Sequence, residues 1–278
     1  MSIADTDLVE VLRDGVSYKA TGSQVKDYIQ INSSIEAAYL VVAGGGGGAG
    51  LYGGGGGAGG FLTGTVALQG GVVYSAIVGA GGIPNPFGDD SDQGGNSSLS
   101  GSGITTVTAL GGGIGGALDD NGGNGASGGG GGCAVDRQPV GGSGTAGQGH
   151  KGGGGSYAEP RRFLGGGGGG AGSAGVSGIA GGQGGSGKAS SITGSSITYA
   201  VGGRGNDRNL DDATPGTNGR GNGGGGFDRE APTPGGSGVV ILRVKTSQYT
   251  GITTGSPEIT QDGADTVIRF TDNGTYTS

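Results

Sequence analysis

Apolar residues along this chain gather in short runs. The clearest are "AAYLVVA" (37–43), "FLTGTVAL" (61–68), "GVVYSAIVG" (71–79), "NSSLSG" (96–101), "ITTVTALGG" (104–112), "SSITGSSITYAVGG" (190–203) and "GVVILRV" (238–244). They are rich in Val, Ile, Tyr and Thr and bounded by Gly, which predicts strands. "GVVILRV" has no alternation and reads as a buried strand. "FLTGTVALQGGVVYSAIVG" predicts a hairpin around "QGG". "PEITQDGADTVIRFTDNGTYT" places "DG" and "NG" turn signals between β-prone stretches. At the N-terminus, "DLVEVLRDGVSYKAT" predicts a hairpin at "RDG", with Leu8, Val11 and Val16 inward. "GSQVKDYIQI" then turns to helical spacing, with Val25, Tyr28 and Ile29 on one face and Ser23 as N-cap. A hairpin and a short helix cannot bury a core alone. This unit is expected to dock on the rest of the chain, a sister subunit or a larger assembly.

Between the runs lie tracts of a different kind, at 44–60, 111–132, 141–155, 165–187 and 219–226. The chain of 278 residues contains 80 Gly, all but six of them between residues 44 and 238. There are 8 Pro and no sustained Gly-X-Y period, which excludes collagen. Each Gly loses roughly 0.5–1 kcal/mol more than Ala on ordering in regular structure. Over the tracts this reaches tens of kcal/mol, so disordered spacer is the competing reading. The strand-like punctuation argues against it. Polyglycine also has an ordered form, a left-handed helix of three residues per turn with no internal hydrogen bonds. Its outward N–H and C=O groups need partners in neighbouring helices, and without Cβ atoms the helices approach closely. The expected fold is therefore mainly β with polyglycine-II helices: a small hairpin-plus-helix module, then a glycine-rich sandwich flanked by strands. Residues 1–36, 37–245 and 246–278 divide as N-terminal module, glycine-rich domain and C-terminal β-hairpin.

Charge and rare residues narrow the function. A net charge of −7 argues against nucleic-acid binding. No apolar segment is long enough to span a membrane, and "MSIADTDLVE" has no secretory signal pattern. The one Cys and the one His, Cys133 and His150, give no disulfide, Cys cluster or multi-His metal site. "GQGGSGKAS" (182–190) nearly spells a phosphate loop through Gly182, Gly187 and Lys188, but Ala189 replaces the magnesium-binding hydroxyl. "GGRGNDRNL" is one copy of a calcium repeat that works only in stacks, with Asp207 as its ligand. Asp89/Asp90/Asp92, Asp119/Asp120 and Asp211/Asp212 read as solvated loop tips or weak Ca²⁺ ligands. No acid–base pair or catalytic triad is present in the pattern. No enzymatic activity and no cofactor are expected.

"YLVVAGGGGGAG", "GGFLTGTVALQGGVVYSAIVGAGG", "GGNSSLSGSGITTVTALGGG" and "GGSGVVILRV" follow one another as in the glycine-rich domain of bacteriophage virion proteins, which residues 37–245 resemble. That resemblance implies a tail fibre or tail-tip adhesin with a polyglycine-II body and receptor-binding loops at one end. "ADTDLVEVLRDGVSYKATGSQVKDYI" is similar to a module at the start of phage tail and fibre proteins. It implies attachment to other virion proteins through Leu8, Val11, Tyr18, Val25 and Tyr28. "TVIRFTDNGTYT" is similar to a strand pair that usually precedes "YLVVAGGGGG"; here it comes last and is expected to pair beside 37–43. The candidate contact residues come from the polar loops: Phe87 and Asp89, Tyr157, Arg161, Arg162 and Phe163, and Phe227 and Arg229. Aromatic faces beside guanidinium donors suit a binding tip. The resemblance further implies a virion location, a host-surface polysaccharide or outer-membrane protein as partner, and a homo-oligomer, with a trimer favoured. A capsid or tail decoration protein without receptor binding is the alternative.

Overall fold

The computed structural model describes residues 6, 8–13, 16–24, 34–84, 92–158, 162–207, 213–227 and 232–278. The architecture is mainly β. The N-terminal hairpin pairs β1 (Leu8–Arg13) with β2 (Val16–Thr21). Leu8 is 70% exposed, against its expected inward position. The cap also differs. The Thr21 hydroxyl accepts from the Gln24 N–H at 3.2 Å, and the Gln24 side chain accepts from the Thr21 N–H at 2.8 Å. This reciprocal T-x-x-Q capping box makes Thr21 the N-cap rather than Ser23. Val25 and Tyr28 lie outside the described residues, and of Val11 and Tyr18 only the backbone is described.

Two five-stranded antiparallel sheets form a sandwich. The first runs β14 (Glu258–Asp262), β15 (Asp265–Phe270), β12 (Val239–Lys245), β3 (Ser34–Val42), β4 (Phe61–Gln69). The second runs β13 (Ile252–Thr254), β16 (Gly274–Thr277), β5 (Val73–Ile77), β6 (Ser97–Ser100), β7 (Val107–Ala109). Strand alternation sorts the side chains. Ile35, Ala37 and Val41 of β3, Val240, Leu242 and Val244 of β12, and Ile268 and Phe270 of β15 face the second sheet. There they meet Tyr74, Ala76, Leu99 and Tyr276. The opposite face buries Leu40, Val42, Val239, Ile241 and Val267 against Phe61, Tyr199 and three alanines, Ala58, Ala171 and Ala200. Both faces of β3 and β12 are covered, which is why "YLVVA" and "GVVILRV" are continuously apolar.

Two expected hairpins are absent. β4 and β5 lie in different sheets. β4 is paired along β3 from Val42↔Phe61 to Ser34↔Gln69, while β5 lies between β16 and β6. The chain crosses at Gly71 (φ +74), where the Gly71 N–H donates to the Ser278 carbonyl at 2.6 Å. Likewise "TVIRFTDNGTYT" splits between sheets, β15 in the first and β16 in the second. β15 pairs with β12, which separates it from β3. The C-terminal hairpin that does form joins β14 to β15 around Gly263 (φ +61). "SSITGSSITYAVGG" is not one strand either. It contributes to a ribbon of β10 (Lys188–Ser190) and β11 (Ile197–Tyr199).

A charge cluster ties β12 to β15. Asp265 accepts from Lys245 Nζ at 2.8 Å and from Arg243 Nε at 3.0 Å. These cations, Lys245 first, hold the Asp265 carboxyl below the ordinary carboxylate range. A depressed folded-state pKa contributes stability above the unfolded value, about 3.9, and loses it as pH falls through the folded value. Asp265→Asn is therefore expected to flatten the acid limb of a melting-temperature profile below about pH 4.

Apart from a bridge at Ala49 and a 3-10 turn at Gly178–Ala180, the glycine tracts carry no regular element, and most of their backbone bonds run between segments distant in sequence. In 53–60, every N–H donates outward, with partners recurring every third residue. Gly53, Gly56 and Gly59 donate to Phe227, Gly224 and Gly221. Gly54, Gly57 and Gly60 donate to Gly116, Gly113 and Leu110. Gly55 and Ala58 donate to Gly166 and Gly169. The carbonyls repeat the pattern, accepting from Ala43, Gly46 and Ala49, from Ser127 and Gly130, and from Gly203 and Asn206. This tract thus bonds to six neighbours: 43–49, 110–116, 127–130, 166–169, 203–206 and 221–227. Ala58 is fully buried. It sits inside this tract and points its methyl into the apolar cluster on the outer face of the first sheet.

Candidate functional site

The tract ends define two faces of the glycine body. Residue 60 runs into β4, and residues 43, 109 and 238 adjoin β3, β7 and β12, so these ends face the sandwich. The opposite ends converge through backbone bonds. Gly53 N–H donates to the Phe227 carbonyl at 3.2 Å, Cys133 N–H to Tyr52, Asp119 N–H to Cys133, Asn206 N–H to Gly53, and Gly165 N–H to Asn206. The turn at 49–53, the loops after Gly116 and Cys133, the ribbon at 156–164 and the segments at 207 and 227 therefore share one end.

An aromatic stack marks this tip. The ribbon pairs β8 (Ser156–Ala158) with β9 (Arg162–Leu164) and sets Tyr157 opposite Phe163. Their rings meet edge-on at 5.2 Å, and Tyr52 stacks on Phe163 at 4.4 Å. Leu51 and Tyr52 hold left-handed backbones, φ 49 and 61, at the turn. Beside the stack, Asp207 lies 3.5 Å from Arg204 and 3.8 Å from Arg162. Asn206, nearly buried, donates from Nδ2 to the Phe163 carbonyl at 3.1 Å and fixes the ribbon. In the segments that meet at this end, Leu118, Val135 and Ile179 project as exposed apolar side chains. Exposed apolar groups rimmed by polar ones are characteristic of contact surfaces.

Of the residues predicted to contact a partner, Tyr157, Arg162 and Phe163 meet at this tip, and the Phe227 backbone bonds to its central turn. Phe87, Asp89, Arg161 and Arg229 lie outside the described residues, as do Asp90, Asp211 and Asp212. Sequence reasoning did not assign contact roles to Tyr52 or Arg204. Tyr52 is the one aromatic residue between the two five-glycine runs, and that isolation was the available signal. Asp207, weighed as a calcium ligand, is an ion-pair partner. Among the described residues no group of three His, Cys, Asp or Glu is placed to hold a metal.

The other motif residues have structural settings. Cys133 is fully buried and donates from Sγ to the Ser156 carbonyl at 3.2 Å, and burial pushes its thiol pKa up. That is opposite to the shift a nucleophilic thiolate needs. Lys188 opens β10 rather than a helix, so the phosphate-loop spacing lacks its helix N-terminus. Among the described residues no helix is long and apolar enough to cross a membrane.

A family described as a glycine-rich domain matches residues 21–245. The match takes in the whole set of tracts and ends with the last residue of β12. No curated protein and no solved structure matches the chain. The chain belongs to the glycine-rich domain family.

Proposed function

We propose that the tracts are polyglycine-II helices in a lattice, and that this body is a rigid stalk for a contact face on a bacteriophage virion. The three-residue recurrence of bonding partners around 53–60 supports the helix assignment, because three residues make one turn of this helix. At about 3.1 Å per residue, eight residues carry the tip roughly 25 Å from the sandwich. The protein is read as a tail fibre or adhesin. Its N-terminal module attaches to other virion proteins, and its tip binds a host-surface polysaccharide or outer-membrane protein.

The observation that carries this reading is the convergence of Tyr52, Tyr157, Phe163, Arg162 and Arg204 at the end remote from the sandwich. Stacked rings and guanidinium donors suit sugar or protein surfaces. The chain then works by binding and catalyses no reaction. The alternative is a decoration or spacer protein, in which the same tip joins virion neighbours.

The test uses purified protein and the phage's host. Wild type is expected to adsorb to host cells and lower plaque counts. The double variant Arg162→Ala/Phe163→Ala is expected to lose at least tenfold in adsorption while its melting temperature falls only slightly. No adsorption by wild type, with labelled protein found on the capsid shell, would establish the spacer reading instead.

A further inference from the structure

A cavity lies at the other end of the glycine body, against the outer face of the first sheet. Its volume is about 280 Å³, and it is lined by Tyr199, Arg220, Glu258, Arg269, Thr193 and Thr260 over the apolar Ile197 and Val267. Each residue is there for a local reason. In the β14–β15 ladder, Glu258 pairs with Arg269 and Thr260 with Val267, so these four share one face. Ile197 and Tyr199 are two apart on β11 and point the same way. The third wall is the tight turn at Gly219 and Arg220. Gly219 (φ +70) lies so close that a Cβ there would stand 2.7 Å from Arg269 Nη2.

The polar groups are unevenly satisfied. Arg269 is paired with Glu258 at 2.9 Å. Arg220, exposed at the rim, has no ion-pair partner among the described residues. Tyr199 is 1% exposed, yet it lines the cavity and its hydroxyl makes no hydrogen bond to a described residue. That hydroxyl opens onto the cavity. Burial pushes the Tyr199 phenol pKa up, and the nearby Arg269 and Arg220 guanidiniums act in the opposite direction.

We propose that this cavity binds a single pyranose ring carrying a carboxylate. Its volume falls just under the roughly 300–1,000 Å³ of small-molecule sites, which fits one ring and not an oligosaccharide. The ligand carboxylate accepts from Arg220 and from the Tyr199 hydroxyl. Ring hydroxyls donate to Glu258 and exchange bonds with Thr193 and Thr260, and the C–H face of the ring lies on Val267 and Ile197. Glu258 disfavours a bare polyanion such as phosphate, because like charges repel at this range, whereas it accepts readily from sugar hydroxyls. The site is remote from the aromatic tip, and the assignment does not depend on what the tip binds.

The full-length protein is titrated with glucuronate, methyl glucuronide and glucose, by saturation-transfer NMR and calorimetry. Saturable glucuronate binding near the millimolar range is expected, with glucose at least tenfold weaker. Methyl glucuronide keeps the carboxylate and blocks the anomeric hydroxyl, so it separates recognition of a glycan-linked residue from that of the free reducing sugar. Arg220→Ala, in an exposed turn, is expected to fold and to weaken glucuronate at least tenfold. Tyr199→Phe keeps the packing and is expected to weaken it several-fold. Absence of saturable glucuronate binding overturns the assignment, as does equal affinity for glucose or an unchanged Arg220→Ala variant.

Discussion

Gly56→Ala is expected to destabilise the protein by about 3 kcal/mol or more. This reverses the usual sign, since Gly→Ala at a compatible site stabilises by about 0.4–1 kcal/mol through the unfolded state. The reason is the close approach of neighbouring tracts. A Cβ on Gly56 would stand 2.1 Å from the Gly46 carbonyl oxygen and 2.7 Å from its carbon. Both are backbone atoms, so no rotamer relieves the clash. Separating the two tracts also strains the bonds from Gly56 N–H to Gly224 and from Gly203 N–H to Gly56, both 2.8 Å. For a chain of this size the shift corresponds to a melting-temperature drop of about 6–12 °C or more. Gly154 is the matched control, because the nearest atom to its Cβ position is the Pro139 carbonyl oxygen at 3.0 Å. Gly154→Ala is expected to change stability by under about 1 kcal/mol. Equal effects from the two substitutions, read by thermal melting, would show that close packing does not dictate the glycines.

Deleting 256–278 is expected to abolish folding to a soluble protein. The deletion removes β14 and β15, which exposes the edge of β12, and β16, which joins β13 to β5 in the second sheet. It also removes Ile268, Phe270 and Tyr276 from the core between the sheets. A milder form tests the same point. Tyr276 is fully buried and stacks on Tyr249 at 5.9 Å. Tyr276→Ala is expected to cost about 3–5 kcal/mol, as for other large buried aromatics. An unchanged denaturant midpoint would mean that the C-terminal strands are not part of the folding unit. The family match stops at Lys245, yet the sandwich requires the four strands that follow.

Strand positions were legible in the sequence because each apolar run is short and edged by Gly. Pairing was not. "VALQGGVVY" has the turn chemistry of a hairpin, but its two strands join different sheets, because β5 is already flanked by β16 from the far end of the chain. A local turn signal cannot report a partner some two hundred residues away. The alanines illustrate a different limit. Ala58 and Ala171 break glycine tracts, Ala200 follows β11, and all three look incidental in sequence. In the fold they are the points where tracts press methyl groups on the first sheet. At the tip, the "YAEPRRFL" loop was readable from its aromatic and guanidinium content. Tyr52 and Arg204 were not, since backbone bonds across distant tracts bring them there.

The glycines are expected to form an ordered interior rather than slack chain. Amide hydrogen exchange of tract 53–60 tests this most directly. All eight N–H groups donate to neighbouring tracts within this body. Their protection is expected to match that of β3 and β12, with exchange approaching the global unfolding limit. Exchange across 53–60 at the rate of an unstructured peptide, while β3 and β12 stay protected, would contradict the account.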